Sequence, residues 1–96
     1  MKKTIKQECC NLDLELIEWL NRHLKAYLEH ASKHIDLEFH TYTYNGKRFT
    51  QKQIIERLIT ITDILSETHF DFTKEYNNLK DEMYDLLKLV HNQMWW

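Results

Sequence analysis

Residues 39–49, Phe39-His40-Thr41-Tyr42-Thr43-Tyr44-Asn45-Gly46-Lys47-Arg48-Phe49, decide how this chain folds. Gly46 is the only glycine, and there is no proline. Asn-Gly accepts positive φ at both central positions of a two-residue turn, the strongest short-range signal for a β-hairpin. The residues before it alternate in strand fashion, Phe39, Thr41 and Thr43 against His40, Tyr42 and Tyr44. The turn sets Tyr44 opposite Lys47, Thr43 opposite Arg48 and Tyr42 opposite Phe49, which places Tyr42, Tyr44 and Phe49 on one face. A lone two-stranded ribbon is marginal in water, so that face must pack on helices or on another molecule.

Outward from the hairpin, both arms read as amphipathic helix. Residues 1–10 are polar and are expected to be flexible. Asn11 or Asp13 can cap a first helix, and Leu12, Leu16, Trp19, Leu20, Leu24, Tyr27, Leu28, Ala31 and Ile35 recur at helical spacing over 12–35. The hairpin takes 38–49. Thr50-Gln51-Lys52-Gln53 then has the pattern of a capping box for a second helix over 51–67, with Ile54, Leu58, Ile61 and Leu65 inward. A short connection, His69-Phe70-Asp71-Phe72, leads to a third helix over 72–95. There Tyr76, Leu79, Met83, Leu86, Leu87, Val90 and Met94 alternate steps of three and four, a coiled-coil-like seam. The fold class is mainly α: a single-domain three-helix bundle over 1–96, with a short β-hairpin between helix 1 and helix 2.

Composition narrows the function. Ninety-six residues suffice for one core, near the size at which a second copy helps. A formal charge of −2 argues against a protein devoted to neutralising phosphates. Lys47, Arg48, Lys52 and Arg57 nevertheless cluster at and beyond the turn, while Asp63 to Asp85 is acidic, a pattern that reads first as solvated surface. The two cysteines, Cys9 and Cys10, are adjacent and form no disulfide framework, which points to a reducing compartment. With no signal-peptide pattern and no apolar run of spanning length, the expectation is a cytoplasmic protein.

Four constellations bear on chemistry. His23, His30 and His34 line one edge of the first helix, and the i, i+4 pair His30–His34 has zinc-chelating spacing. A third ligand would come from His69, His91 or a carboxylate, and packing at the core boundary explains the imidazoles more simply. Glu15-Leu16-Ile17-Glu18 and Glu82-Met83-Tyr84-Asp85 read as ExxE and ExxD. This pair resembles the signature of all-α nucleoside triphosphate pyrophosphohydrolases of the MazG type, and the resemblance implies magnesium on those acids. It covers only the two tetrapeptides. In that family the motifs lie close together on neighbouring helices, whereas here a hairpin and a whole helix intervene, and Glu15 and Glu18 point away from the apolar stripe. No glycine-rich phosphate loop exists, and no histidine is tied by sequence to Cys9 or Cys10, so no enzyme and no cofactor are expected.

The remaining two constellations are surfaces. Tyr42, Tyr44, Lys47 and Arg48 group aromatic and basic residues at the hairpin, a combination suited to protein interfaces and also to stacking and phosphate contacts with nucleic acid. The chain closes on Trp95 and Trp96, costly to leave in water, which with the seam of helix 3 suggests a homodimer. The reading is a small non-catalytic regulator or inhibitor that docks on a larger protein through Tyr42, Tyr44, Lys47, Arg48, Trp95 and Trp96, in the manner of phage or mobile-element proteins by analogy alone. A nucleic-acid-binding regulator using the hairpin is the alternative, and a metal-binding helical protein stands behind it.

Overall fold

A computed structural model describes residues 4–68 and 73–95. It is mainly helical with one two-stranded antiparallel hairpin, in the order α1 (Ile5–Cys9), α2 (Leu12–Ala31), β1 (Thr41–Tyr44), β2 (Lys47–Thr50), α3 (Gln51–Glu67) and α4 (Lys74–Val90), closed by a 3₁₀ turn at His91–Gln93. The expected connection at His69–Phe72 lies outside the described residues, as do Met1–Lys3 and Trp96.

Helix α3 is the centre of the core. Its residues Ile54, Ile55, Leu58, Ile61 and Leu65 are all buried. Ile17, Leu24 and Ala31 of α2 and Tyr76, Met83, Leu86 and Val90 of α4 are buried with them. Tyr76, Met83, Leu86 and Val90 of the alternating seam of α4 are therefore covered within the chain, while Leu79, Leu87 and Met94 are half-buried. The place of a neighbour along the buried part is taken by α3, whose wide isoleucine stripe has apolar surface for two helices.

One buried polar contact ties α2 to α3. The Asn21 amide donates to Thr62 Oγ1 at 2.8 Å and to Asp63 Oδ1 at 2.9 Å, and Lys25 pairs with the same carboxylate oxygen at 3.0 Å. A buried amide with one satisfactory arrangement of partners selects one register of the two helices.

Several boundaries differ from the sequence expectation. Ile5–Cys9 form a short helix where a flexible end was expected, with Thr4 Oγ1 accepting from the Gln7 amide and Gln7 Oε1 accepting from the Thr4 amide. Helix α2 stops at Ala31, short of residue 35. Beyond it the amides of His34 and Ile35 both turn back to the Ala31 carbonyl, and Asp36 Oδ1 accepts from the Glu38 amide. This turn buries Leu37 and aims two carbonyls at α3: His40 O accepts from the Gln51 amide and Leu37 O from the Lys52 amide. Thr50 Oγ1 takes the Gln53 amide and Gln53 Oε1 takes the Thr50 amide, completing the capping box. All four amides at the start of α3, which a helix leaves without internal partners, are thus satisfied. At its other end, α4 gives way after Val90 to the 3₁₀ turn, short of the expected 95.

Candidate functional site

Asn45 and Gly46 take φ of 50° and 76°, the left-handed pair that a two-residue hairpin turn requires. The register pairs Tyr44 with Lys47, Thr43 with Arg48, Tyr42 with Phe49 and Thr41 with Thr50. Directly opposed residues share a face. Tyr42, Tyr44, Lys47 and Phe49 therefore lie on the face turned to the helices, and Thr41, Thr43, Arg48 and Thr50 on the other. The four residues expected to act together at the hairpin are split: Arg48 stands on the outer face, away from the tyrosines.

The tyrosines are half-buried and partnered inside the chain. Tyr42 donates from its hydroxyl to Gln93 Oε1 at 2.9 Å, and Tyr44 donates to Asp85 Oδ2 at 3.4 Å. Burial pushes both hydroxyls above their ordinary pKa, and at Tyr44 the carboxylates of Asp85 and Glu82 push in the same direction.

Between the hairpin, α3 and α4 the inner face leaves a cleft of about 260 Å³. Phe49, Ile54 and Leu86 supply apolar walls, and Tyr44, Arg57 and Glu82 complete the lining with Gln53. Arg57 and Glu82 meet in a two-pronged pair, Nε to Oε2 at 2.7 Å and Nη2 to Oε1 at 3.0 Å. That hydrogen bonding to Glu82 holds the guanidinium pKa above its ordinary value. Cavities that enclose a whole small molecule run from roughly 300 to 1,000 Å³, so this cleft suits a single large side chain better than a cofactor. Lys47, exposed, makes no ion pair among the described residues.

The C-terminal segment is clasped against the body. The Gln93 carbonyl accepts from Gln51 Nε2 at 2.9 Å, and the Tyr27 hydroxyl donates to the Trp95 carbonyl at 2.9 Å. The backbone is held while the Trp95 side chain stays 62 % exposed. Trp96 lies outside the described residues.

The other sequence candidates do not come together. His23 stacks on Trp19 with ring centroids 3.9 Å apart, and its Nδ1–H donates to the Trp19 carbonyl at 2.7 Å. Helix α2 ends at Ala31, so His30 lies in its last turn and His34 in the turn that follows. Among the described residues no group of three or more His, Cys, Asp or Glu is placed to hold a metal ion. Of the two acidic tetrapeptides, Glu82 is engaged by Arg57 and Asp85 by Tyr44. No helix among the described residues is long and apolar enough to cross a membrane.

Two features escape sequence reasoning. The Arg57–Glu82 pair joins residues 25 apart and has no local signature. Leu12, Leu16 and Trp19, which the helical spacing assigns to the core, are exposed by half or more. The signal was present: the apolar residues of α2 span too wide an arc for one face. Compared with known proteins, the chain matches no family model, no curated protein and no solved structure.

Proposed function

We propose that this chain is a non-catalytic protein-binding regulator that receives one apolar side chain of a larger partner in the cleft between the hairpin, α3 and α4. The observation that supports it most is an apolar floor inside an ionic rim. Phe49, Ile54 and Leu86 form the floor, the Arg57–Glu82 fork closes one side, and Lys47 shares the face of Tyr44 beside it. The fork is internally neutral, and Asp85 accepts from Tyr44. Lys47 is a cation without an ion pair among the described residues, and Asp85 keeps its negative charge on the other side of Tyr44. A segment that inserts a large apolar residue and carries a carboxylate next to it matches both features. Interfaces concentrate their energy in such buried anchors, while charges around them select the partner and speed its approach.

Selection of a random peptide display library on the immobilised protein tests this reading. The enriched peptides share an aromatic or large aliphatic residue beside Asp or Glu. Their affinity falls about tenfold in Lys47→Glu, the loss of one close charge pair, with helicity unchanged. Failure to enrich any motif, or enrichment of one indifferent to Lys47→Glu, overturns it. Salt-sensitive retention of RNA or DNA that weakens in Lys47→Ala and Arg48→Ala would favour a nucleic-acid partner instead.

A further inference from the structure

The hairpin has two outer edges, and the chain closes one of them. The Gln51 amide donates to the His40 carbonyl, which continues the ladder one pair beyond Thr41 and Thr50. Backbone groups alternate in direction along a strand. His40, Tyr42 and Tyr44 therefore bond across to the second strand, and Thr41 and Thr43 turn their N–H and C=O outward. Among the described residues no backbone bond from elsewhere reaches either threonine, and both are exposed. On the other edge Gln53 takes the outward amide of Thr50, the chain passes into α3, and Arg48 puts a charge on the strand. Charge on an edge strand is a guard against unwanted pairing. Thr41-Tyr42-Thr43-Tyr44 carries no charge, no proline and no bulge.

We propose that this edge is the interface of a twofold dimer in which β1 of one copy pairs antiparallel with β1 of a second copy, making one sheet in the order β2-β1-β1-β2. The outward groups fix the register. With the axis at Tyr42, Thr41 stands opposite Thr43 of the second copy and Thr43 opposite its Thr41. Each pair exchanges both bonds, so every outward group of the two threonines is used. Sliding by two residues one way sets Thr41 against Asn45 in the turn. Sliding the other way sets Thr43 against Phe39, whose amide is already bound to the Asp36 carbonyl. Charge and side chains suit a second copy in the same register. Tyr42 meets Tyr42 of the second copy at a non-bonded position, where side chains come closest and aromatic pairs stabilise a sheet. His40, exposed, meets Tyr44 of the second copy, the residue whose hydroxyl donates to Asp85 Oδ2. No like charges are opposed, and each imidazole approaches a carboxylate. A two-stranded ribbon is marginal in water and gains from further strands over a covered face, which the pairing supplies.

Analytical ultracentrifugation and amide hydrogen exchange of the full chain decide it. One strand pair is a small contact, so the expected result is a dimer of the 11.9 kDa chain that dissociates in the micromolar range. As concentration rises, the Thr41 and Thr43 amides become protected, while the Arg48 amide on the other edge exchanges as fast as before. Thr43→Pro removes an outward amide and no bond of the hairpin. It raises the dimer dissociation constant by about tenfold or more, with helicity unchanged. Arg48→Pro makes the same change on the guarded edge, Thr43→Ala keeps the backbone donor, and both stay within about threefold of the original. A monomer at every concentration up to about 1 mM, a dimer that survives Thr43→Pro, or an equal loss in Arg48→Pro overturns the proposal. Protection of the Thr41 and Thr43 amides only when an added peptide binds would give the edge to another protein's strand and overturns it too.

Discussion

Gln93 accepts hydrogen bonds from β1 and α3 at once, through its side-chain oxygen from Tyr42 and through its carbonyl from Gln51. Gln51 is 1 % exposed, and its amide nitrogen is the buried donor for that carbonyl. Gln51→Leu keeps the volume but leaves the Gln93 carbonyl without this partner, a cost of about 2 kcal/mol. Urea denaturation measures it as a lower midpoint with an unchanged slope. The tyrosines around this clasp make a second prediction. Burial raises the pKa of Tyr27, Tyr42, Tyr44 and Tyr76 above the ordinary 10.0. The folded chain therefore keeps these protons at pH values where the unfolded chain has lost them. Their contribution to stability is complete below pH 10 and is lost as pH rises through the higher folded values. Tyrosinate absorbance and helicity followed together should show delayed ionisation with falling stability above pH 10. Ionisation of all tyrosines at the ordinary value with no change in stability would contradict it.

At the level of elements, the start of α3 joins the two halves of the fold. Thr50→Ala removes the acceptor for the Gln53 amide, and replacing such a cap costs about 1 kcal/mol; a thermal melt of the variant reads it directly. The same region shows what sequence made legible. Asn45-Gly46 determines its own backbone, and period-two alternation follows, so the hairpin register could be read without tertiary information. Thr50 and Gln53 act on each other three residues apart, so the capping box could be read too. The end of α2 could not. Ile35 continues the apolar spacing, and nothing near it encodes that the Leu37 and His40 carbonyls are needed by the amides of Lys52 and Gln51. The seam of α4 was visible as a pattern, but a pattern does not name its occupant, and α3 takes that place.

For the whole molecule, the distribution of polar work separates the face that holds the chain together from the faces left open. The hairpin tyrosines, which sequence placed at a partner surface, spend their hydroxyls on Gln93 and Asp85. Open apolar surface includes Leu12, Leu16 and Trp19 of α2, Phe39 and Trp95, and Lys47 is an exposed cation paired across the ribbon with Tyr44. Trp95 and Lys47 could be named from sequence, but the open row of α2 could not, because its exposure depends on which of two apolar rows the neighbouring helix selects. The account comes down to recognition at the cleft, and NMR chemical-shift mapping of the best selected peptide tests that most directly. Perturbations centred on Tyr44, Phe49, Arg57 and Leu86, absent in Lys47→Glu, are the predicted result; shifts confined to residues 12–30, with the cleft silent, would contradict it.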